Sequence, residues 1–406
     1  MNLVLFAHPL FLGLRSQDHF ARMLAAAFEA RGHRVELRRP AARVQRWVRF
    51  CVQAGSLSKW AGYVDQYLLF PWQMRLRMRH DAADTLYVFC DQALGPWVPL
   101  AARRPHVVHC HDLLALRSAL GEVPENPTSA TGRLYQRFIR RGFARARHFV
   151  SISEHTRRDL QRLGGVQPVT SEVVHNGLNH PYSPTDETAA RRVLELAGLP
   201  MVQGGFVLHV GGGQWYKNGV GVVSLYASYV DLCVAAGKAP LPLWMVSPPP
   251  CRAVKAALAR VAAQGCVQFF QSLAPDVLQA AYSMASVLLF PSLAEGFGWP
   301  IAEAMACGCP VLTTGEPPMN EVGGDVALYL PRLAGQHDLQ AWSSAGAGLL
   351  MRLLNAAPEK RTERVHAGLQ RAAAFSADAA IERYLQIYRR VLELEGEGRT
   401  IDAHKL

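Results

Sequence analysis

The chain has 406 residues, of which 50% are hydrophobic and 18% are charged. This balance excludes a disordered or low-complexity chain, and the length allows two or three domains. Apolar runs such as Val287–Phe290 are much shorter than the roughly 20 residues of a transmembrane helix, and no secretory leader pattern opens the chain. None of the eight cysteines forms a Cys-x-x-Cys pair, so we expect a cytoplasmic protein without zinc knuckles or a disulfide scaffold.

The basic charge is concentrated in the first half of the chain. Residues 1–180 carry 25 lysines and arginines against 13 acidic residues, whereas the remainder carries 18 against 19. Such a basic half favours an anionic partner, namely a membrane surface, a nucleic acid or a phosphorylated substrate. The alternative is an arginine-rich surface that is merely solvated.

Short apolar runs alternate with helical patterns throughout this first half. A helix is predicted over residues 17–30, where Phe20, Leu24 and Phe28 share one face. Strands are predicted at residues 2–8, 35–37, 85–90, 106–110, 148–152 and 172–175. The alternation predicts a parallel sheet covered by helices on both faces, with ligands at the carboxyl ends of the strands.

A second series of the same kind follows a turn-rich break at residues 176–185. Its strands are predicted at residues 206–210, 243–246, 267–270, 287–290 and 310–313, and an amphipathic helix over residues 377–395 ends the pattern. We therefore predict an α/β protein with two doubly wound parallel-sheet domains, residues 1–183 and 184–376, which face each other across a cleft. The last segment, residues 377–406, is expected to cross back onto the first domain.

The sequence EGFGWPIAEAMACGCP, after the fourth predicted strand of the second series, is the strongest chemical signal. Gly296 and Gly298 allow the backbone to approach a ligand closely, and Pro300 suits the first turn of a helix whose free N–H groups bind anions. Glu295 and Glu303 place two carboxylates in this segment, where they can accept hydrogen bonds from sugar hydroxyls. The alternative is that Glu303, in the first helical turn, only complements the helix dipole and that Glu295 is solvated.

Glu295 and Glu303, separated by seven residues in this context, resemble the E-x7-E signature of family 4 of the retaining glycosyltransferases, which have the GT-B fold. The resemblance extends over residues 1–395. It implies transfer of a hexosyl group from a nucleotide-diphosphate sugar to an acceptor hydroxyl, with retention of the anomeric configuration and without a metal ion or other cofactor. The implied donor-binding residues are Gly212, Gly213, Lys217, Asn218, Glu295, Gly296, Phe297, Gly298 and Glu303.

A second signal is the turn of three glycines, Gly211 to Gly213, which is followed by Lys217 and Asn218. Backbone amides and one cation at a helix start suit a diphosphate. In the family such a lysine contacts the donor's phosphates, so Lys217 is assigned a catalytic role. Many relatives carry an arginine close by where this chain has glycines, which leaves the second phosphate-binding cation unidentified.

Two histidines end a predicted strand of the first domain. The segment around His109 and His111 resembles the family's His-Asp segment, in which a histidine touches the donor sugar near the reacting carbon. His111 is the better match and His109 is the alternative. With Lys217 and with Glu295, which would orient the donor sugar, His111 completes the predicted catalytic set.

The acceptor side differs from that of a generic relative. Arg15 and Ser16 replace a glycine pair that meets the sugar or acceptor in the family, and Arg117 follows the histidine strand. Residues 43–79 interleave arginines with aromatic residues such as Trp47, which favours an anionic membrane interface over nucleic-acid stacking. The alternative is a pair of core helices with solvated basic faces.

The predicted protein is a cytoplasmic hexosyltransferase, peripheral at the inner face of the plasma membrane. The resemblance implies a UDP- or GDP-type donor, a mannosyl or glucosyl group, and a saccharide or lipid-linked acceptor in bacterial lipopolysaccharide or surface polysaccharide synthesis. The alternatives are a non-catalytic sugar-nucleotide-binding relative, a Rossmann oxidoreductase that uses the glycine turn, and a nucleic-acid-binding protein. The mid-chain position of the glycines and the presence of Lys217 argue against the oxidoreductase.

Overall fold

The computed structural model describes residues 1–51 and 55–403. They form two compact units, one of residues 1–175 together with the chain from Asp378 onward, and one of residues 176–377. Among the described residues, each unit is built on a parallel sheet of six strands, so the predicted α/β class is confirmed. The first stretch of unit 1 ends at His175, whereas the predicted domain boundary lies after Ser183.

The first sheet is made of strands that were largely recognisable as short apolar runs. They are β1 (Asn2–Phe6), β2 (Arg34–Arg38), β3 (Leu86–Phe89), β4 (His106–Cys110), β5 (His148–Ser151) and β6 (Thr170–Val173). Their order across the sheet is β2-β1-β3-β4-β5-β6. Successive strands are added on one side of β1 and then on its other side, beginning with β3, so the switch point of this parallel sheet lies between β1 and β3. The carboxyl ends of the strands at such a switch point form the usual ligand crevice.

Helices cover both faces of this sheet. They are α1 (Arg15–Glu29), α2 (Val44–Cys51), α3 (Gly55–Val64), α4 (Phe70–Arg77), α5 (Leu114–Ala119), α6 (Ala130–Phe143) and α7 (Glu154–Leu163). As predicted, α1 buries Phe20, Leu24 and Phe28 in an apolar cluster with residues of β1 and β3. A 3-10 segment, Gln92–Ala101, packs closely on α6, since a Cβ at Gly142 would lie 2.1 Å from the Gly95 carbonyl oxygen.

A wider π turn, Asp65–Leu69, joins α3 to α4. The buried Asp65 carboxylate accepts the backbone N–H groups of Val44 and Gln45 at 2.9 and 3.0 Å and so caps α2. Trp97 donates its indole N–H to the Gln66 carbonyl at 2.9 Å. These buried polar contacts hold α2 to α4 as a defined helical hairpin on the first unit.

The second sheet has strand order β12-β11-β10-β7-β8-β9. Its strands are β7 (Val207–Val210), β8 (Leu243–Val246), β9 (Val267–Phe270), β10 (Val287–Phe290), β11 (Val311–Thr314) and β12 (Leu328–Leu330). The short β12 was not predicted, because three residues with one intervening tyrosine carry too little periodicity to distinguish a strand from a loop. The switch point of this sheet lies between β7 and β10.

The first helix of the second unit precedes β7, the helices that follow alternate with the strands, and two consecutive helices come after β12. They are α8 (Glu187–Leu196), α9 (Gly219–Ala235), α10 (Arg252–Leu258), α11 (Pro275–Met284), α12 (Trp299–Ala306), α13 (Met319–Gly323), α14 (Leu339–Leu354) and α15 (Pro358–Ala372). In the described chain, one helical stretch, Trp215–Ala235, is long and apolar enough to cross a membrane, contrary to the sequence expectation. More than half of it, 56%, is buried, and Val222, Leu225 and Tyr226 lie in the core cluster of the unit, as expected of a core helix.

The last helix, α16 (Ala377–Ala403), is longer than the predicted 377–395. Its apolar face buries Ile381, Tyr384 and Tyr388 in the same cluster as α1 and β1 of the first unit. Near its end, the Glu395 carboxylate accepts a hydrogen bond from His148 at 2.9 Å.

Candidate functional site

One asparagine fixes the conformation of the loop between β7 and α9. Asn218 has left-handed backbone angles (φ 54°), its side chain accepts the Gly221 N–H at 3.1 Å, and its Nδ2 donates to the Pro291 carbonyl at 3.0 Å. These contacts cap α9 and tie the glycine turn to the loop after β10. Asn218 therefore positions the loop, and within the predicted donor site its role is to support the neighbouring residues.

Lys217 and Glu295 form an ion pair across the switch point of the second sheet. The Lys217 Nζ lies 2.7 Å from Glu295 Oε1, and the two side chains are only 14% and 9% exposed. The ammonium also lies 4.7 Å from the centre of the Phe290 ring, a cation–π contact. The structure thus brings together two members of the predicted catalytic set and desolvates both.

Glu303 lies in the second turn of α12 and is 5% exposed, so the expected first-turn position is wrong. A carboxylate there is too far along the helix to complement its amino-terminal dipole. The Tyr282 hydroxyl donates a hydrogen bond to Glu303 Oε2 at 2.8 Å. Burial raises the pKa of Glu303 to about 7, against the opposing effects of this hydrogen bond and of the Lys217 charge.

A cavity of about 490 Å³ opens at the carboxyl ends of β7, β8 and β9. Gly211, Gly212 and Lys217 line it on one side, and Trp299 and Glu303 line it on another. Among the described residues of its lining, Lys217 is the only lysine or arginine, so the second phosphate-binding cation stays unidentified. Glu295 is not among the residues that line this cavity, but its Oε1 contacts Lys217, which lines it.

The glycine-rich turn before α12 contains a glycine with a positive φ and a buried aromatic side chain. Gly298 has φ 104° and ψ 48° and begins α12 without a side-chain cap, as an anion-binding helix start requires. Gly213 also has a positive φ of 78° in the turn after β7. Phe297 is 4% exposed and packs edge-on against Phe375, 5.6 Å between ring centres, so its side chain is a core element.

The two histidines of the first unit have different surroundings. His109 is fully buried, and its Nε2 lies 2.6 Å from the Tyr388 hydroxyl on α16, which makes it a core residue. His111 follows β4, donates from Nε2 to the Cys90 carbonyl at 2.8 Å, and packs edge-on against Phe20. Burial lowers the pKa of His111, so this ring is neutral at pH 7 and has Nδ1 as its remaining acceptor.

A buried pair that the sequence analysis missed bridges the switch point of the first sheet. His8 follows β1 and its Nε2 lies 2.9 Å from Asp91 Oδ2, while the other carboxylate oxygen accepts the Ala93 N–H. Burial opposes ionisation of Asp91, but the His8 hydrogen bond and the His8 charge hold its pKa below the usual value. The signal was available, since His8 ends one predicted strand and Asp91 follows another, but strand order is needed to see that the two residues meet.

The second unit holds further residues that no motif indicated. Tyr182 and Tyr282 pack edge-on near Glu303, with 5.9 Å between ring centres, and Tyr182 lines the cavity together with Gln271 and Ser272. Ser272 has a positive φ of 50°, which is uncommon for a residue other than glycine. Spacing along the chain does not connect these residues to the E-x7-E segment, so only the fold reveals them.

The predicted acceptor-side residues lie in the first unit. The side chain of Arg15 is outside the described part of the structure, and Ser16 is exposed in the first turn of α1. Trp47 is 68% exposed on α2. Arg117 on α5 lies 3.4 Å from a Glu122 oxygen and 3.7 Å from an Asp159 oxygen, so part of its charge is compensated within the unit.

Two family models match the chain, one in each half. Residues 17–177 match a glycosyl transferase 4-like domain, and residues 207–350 match the glycosyl transferases group 1 domain. The D-inositol 3-phosphate glycosyltransferase of Mycolicibacterium paratuberculosis is 29% identical over 313 residues, which is 74% of this chain and 65% of the relative. The match therefore spans slightly less than two thirds of that relative's length.

Solved structures show the same fold over almost the whole chain. Sucrose-phosphate synthase from Thermosynechococcus elongatus superposes with a TM-score of 0.66 at 18% identity, covering 97% of this chain and all of that one. WaaG, a glycosyltransferase involved in lipopolysaccharide biosynthesis, superposes with a TM-score of 0.64 at 16% identity, covering 95% and 99%. The likeness confirms the predicted GT-B fold, and the chain belongs to the family of glycosyltransferases in which a 4-like domain precedes a group 1 domain.

Proposed function

We propose that this chain transfers a hexosyl group from a nucleotide-diphosphate sugar to an acceptor hydroxyl. The observation that carries the proposal is the 490 Å³ cavity at the switch point of the second sheet, where Lys217, two loop glycines and the buried Glu303 line one space. A cation beside glycine amides suits a diphosphate, and a carboxylate suits the two hydroxyls of a ribose. A mannosyl or glucosyl group and a UDP- or GDP-type nucleotide fit this proposal equally well.

The charge that develops on the leaving diphosphate is the main demand of the reaction. Lys217 and the uncapped start of α12 would stabilise this charge without further rearrangement. Glu295 keeps Lys217 in place through their 2.7 Å contact. Its proposed second role is to orient the donor sugar. We propose that Lys217 and the start of α12 take the place of a divalent cation, so the reaction needs no metal ion. Activity that survives treatment with EDTA would support this proposal.

Retention of the anomeric configuration is part of the proposal. In the proposed step the acceptor oxygen bonds to the anomeric carbon on the face that the diphosphate leaves, and the bond from that carbon to the phosphate oxygen breaks. A phosphate oxygen of the donor takes the acceptor proton, so the released diphosphate carries it away. His111, neutral and at a strand end, is proposed to accept a hydrogen bond from a sugar hydroxyl near the reacting carbon through Nδ1.

The decisive assay measures release of nucleoside diphosphate by the purified chain from a panel of sugar nucleotides, with a bacterial cell-envelope fraction as acceptor. One donor is expected to be consumed, and the same donor is expected to raise the melting temperature because it binds only the folded state. Donor binding without turnover under all acceptor conditions would support a non-catalytic binding protein instead. No stabilisation by any sugar nucleotide would remove the proposal.

We further propose that the acceptor is a lipid-linked or cell-surface saccharide reached at an anionic membrane. The support is an unusual concentration of exposed apolar side chains on the helical hairpin α2–α4 and on α6. These are Trp47, Trp60, Leu68, Trp72, Leu76, Leu134 and Phe138, each at least 41% exposed. Arginines flank them in the same segments, a pattern typical of helices that lie in a membrane interface.

The aromatic residues beneath this surface connect its two parts. Tyr67 lies 5.4 Å from Phe138 between ring centres, and its hydroxyl lies 2.6 Å from that of Tyr135 on α6. Trp60 packs edge-on against Tyr63 at 5.7 Å. The exposed side chains of the hairpin and of α6 therefore pack against one cluster of tyrosines, Tyr63, Tyr67 and Tyr135. WaaG, whose fold this chain shares, is involved in lipopolysaccharide biosynthesis, which supports a cell-envelope acceptor.

Replacing Leu68 with serine is expected to weaken sedimentation with vesicles that contain phosphatidylglycerol. Leu68 is 66% exposed, and burying one leucine in the interface contributes about 1.5 kcal/mol or more, so the partition coefficient falls by about tenfold. Leu196→Ser is the matched control, because Leu196 is 80% exposed on α8 of the second unit. Equal effects of the two variants, or no sedimentation of the unaltered chain at low salt, would contradict the membrane assignment.

A further inference from the structure

A second cavity, of about 550 Å³, lies in the second unit where α14 meets α15, and it shares no lining residue with the donor cavity. Its floor is apolar and includes Leu328 and Met351. Its rim carries three cations, Arg352, Lys360 and Arg364. The volume is in the range of small-molecule sites, and the lining combines an apolar floor with one sign of charge.

Among the side chains that the structure describes, no carboxylate forms an ion pair with Arg352, Lys360 or Arg364. In the described chain no carboxylate lines the cavity. Arg364 donates to the Val326 carbonyl at 2.9 Å, and burial lowers the pKa of its guanidinium. A further cation, Lys238, comes close through its contact with Asn355 at 3.4 Å. An anion bound here would supply the missing counter-charge.

Stability explains only one of the three cations, since Arg352 lies in the last turn of α14, where a positive charge complements the helix dipole. Lys360 lies in the first turn of α15, where the helix dipole disfavours a cation, and Arg364 follows it by four residues, which makes a repulsive pair of like charges. The turn begins at Pro358 without a side-chain cap, so the Glu359 and Lys360 amides have no side-chain acceptor at the cap position. Glu359, also in that turn, is exposed and does not line the cavity.

We propose that this cavity binds the phosphate or diphosphate group of a small soluble ligand, at a site distinct from the donor cavity. The cations and the uncapped helix start would hold the phosphate, and the apolar floor would take the organic part of the ligand. The same phosphate chemistry occurs in anionic lipid headgroups, so the test must separate a soluble ligand from a membrane contact.

The test titrates inorganic pyrophosphate by calorimetry, near physiological ionic strength, into the Lys217→Gln variant, in which the donor-side phosphate site is weakened. One binding site is expected to remain. Adding Arg352→Gln and Lys360→Gln is expected to lower its affinity by about tenfold or more, because charge-assisted hydrogen bonds are lost. Both side chains are exposed and outside the proposed catalytic set, so turnover of the donor is unchanged when Lys217 is intact.

The matched control replaces Arg145 and Arg192, two exposed arginines outside this cavity, with glutamine and so makes the same change in net charge. Equal loss of pyrophosphate affinity in the control, or no remaining site in the Lys217→Gln protein, would overturn the proposal. Sedimentation with phosphatidylglycerol vesicles is measured for the same variants. Unchanged sedimentation supports the soluble ligand, whereas a loss in step with pyrophosphate binding would reassign the cavity to a lipid headgroup and overturn it.

Discussion

The Lys217→Gln variant is expected to lose about 10²–10³-fold in the rate of glycosyl transfer. Lys217 is the only lysine or arginine among the described residues that line the donor cavity, so no neighbour can take over its charge. Its surroundings are nearly dry, since the side chain is 14% exposed and lies against the Phe290 ring. An ammonium in such a setting stabilises a developing phosphate charge far better than it would in water.

The same substitution also leaves the Glu295 carboxylate buried without its partner, which destabilises the fold. The two effects are separable with the double variant Lys217→Gln/Glu295→Gln. Two neutral amides can hydrogen-bond to each other, so the melting temperature should recover while the turnover rate stays low. Lys255→Gln, which removes an exposed lysine from α10, is the control for loss of one positive charge.

Steady-state assays of nucleoside diphosphate release and thermal unfolding, measured on the same preparations, decide between the two effects. If the double variant recovered turnover together with stability, Lys217 would be a structural partner of Glu295 and not a phosphate-binding group. If Lys255→Gln lost as much activity as Lys217→Gln, the effect would be one of overall charge.

The sequence was most informative for features that are determined by a few consecutive residues. Alternation of apolar runs and helical periods predicted all but the shortest strand, because each pattern is set within a few residues. The segment from Glu295 to Glu303 combines glycine, proline and carboxylate signals in one short stretch, so it could be proposed as a site before the fold was known.

The contacts that complete the site depend on strand order, which no local pattern encodes. In both sheets a charged or titratable pair bridges the switch point: His8 with Asp91 in the first, and Lys217 with Glu295 in the second. Each pair joins residues about 80 positions apart, at ends of strands that become neighbours only in the folded sheet. The same reason hid the contact between Tyr282 and Glu303, since these residues lie on two helices, α11 and α12, that come together only in the folded unit.

Donor affinity is expected to rise with pH between about 6 and 8 because Glu303, whose pKa burial raises to about 7, ionises in that range. The ionised carboxylate can accept hydrogen bonds from both ribose hydroxyls, whereas the protonated form offers fewer acceptor positions. Tyr282 remains a donor throughout, since burial raises its pKa well above the usual value. A sugar nucleotide has no phosphate group that titrates near pH 7, so the profile reports on the protein.

Folding stability should change with pH in the opposite direction. The folded protein binds the Glu303 proton more tightly than the unfolded chain does, so the stabilisation is complete below the ordinary pKa of 4.5 and is lost as the pH rises through about 7. The full change is on the order of 3 kcal/mol. The Glu303→Gln variant cannot ionise, so it should lack this loss and should bind the donor with an affinity that is nearly independent of pH.

The measurements are titrations of the donor and urea unfolding of both proteins at pH 5.5, 7 and 8.5, with Glu195→Gln as the control on exposed surface of α8. A donor affinity of the unaltered chain that stays flat across this range, or a pH-dependent affinity that persists in Glu303→Gln, would show that Glu303 does not hold the ribose. Donor affinity and the free energy of unfolding are linked because both depend on the ionisation of Glu303. If the donor requires the ionised carboxylate, its binding free energy below pH 7 includes the cost of deprotonating Glu303. In the unaltered protein this cost disappears above pH 8, whereas the Glu303→Gln variant has no such cost at any pH.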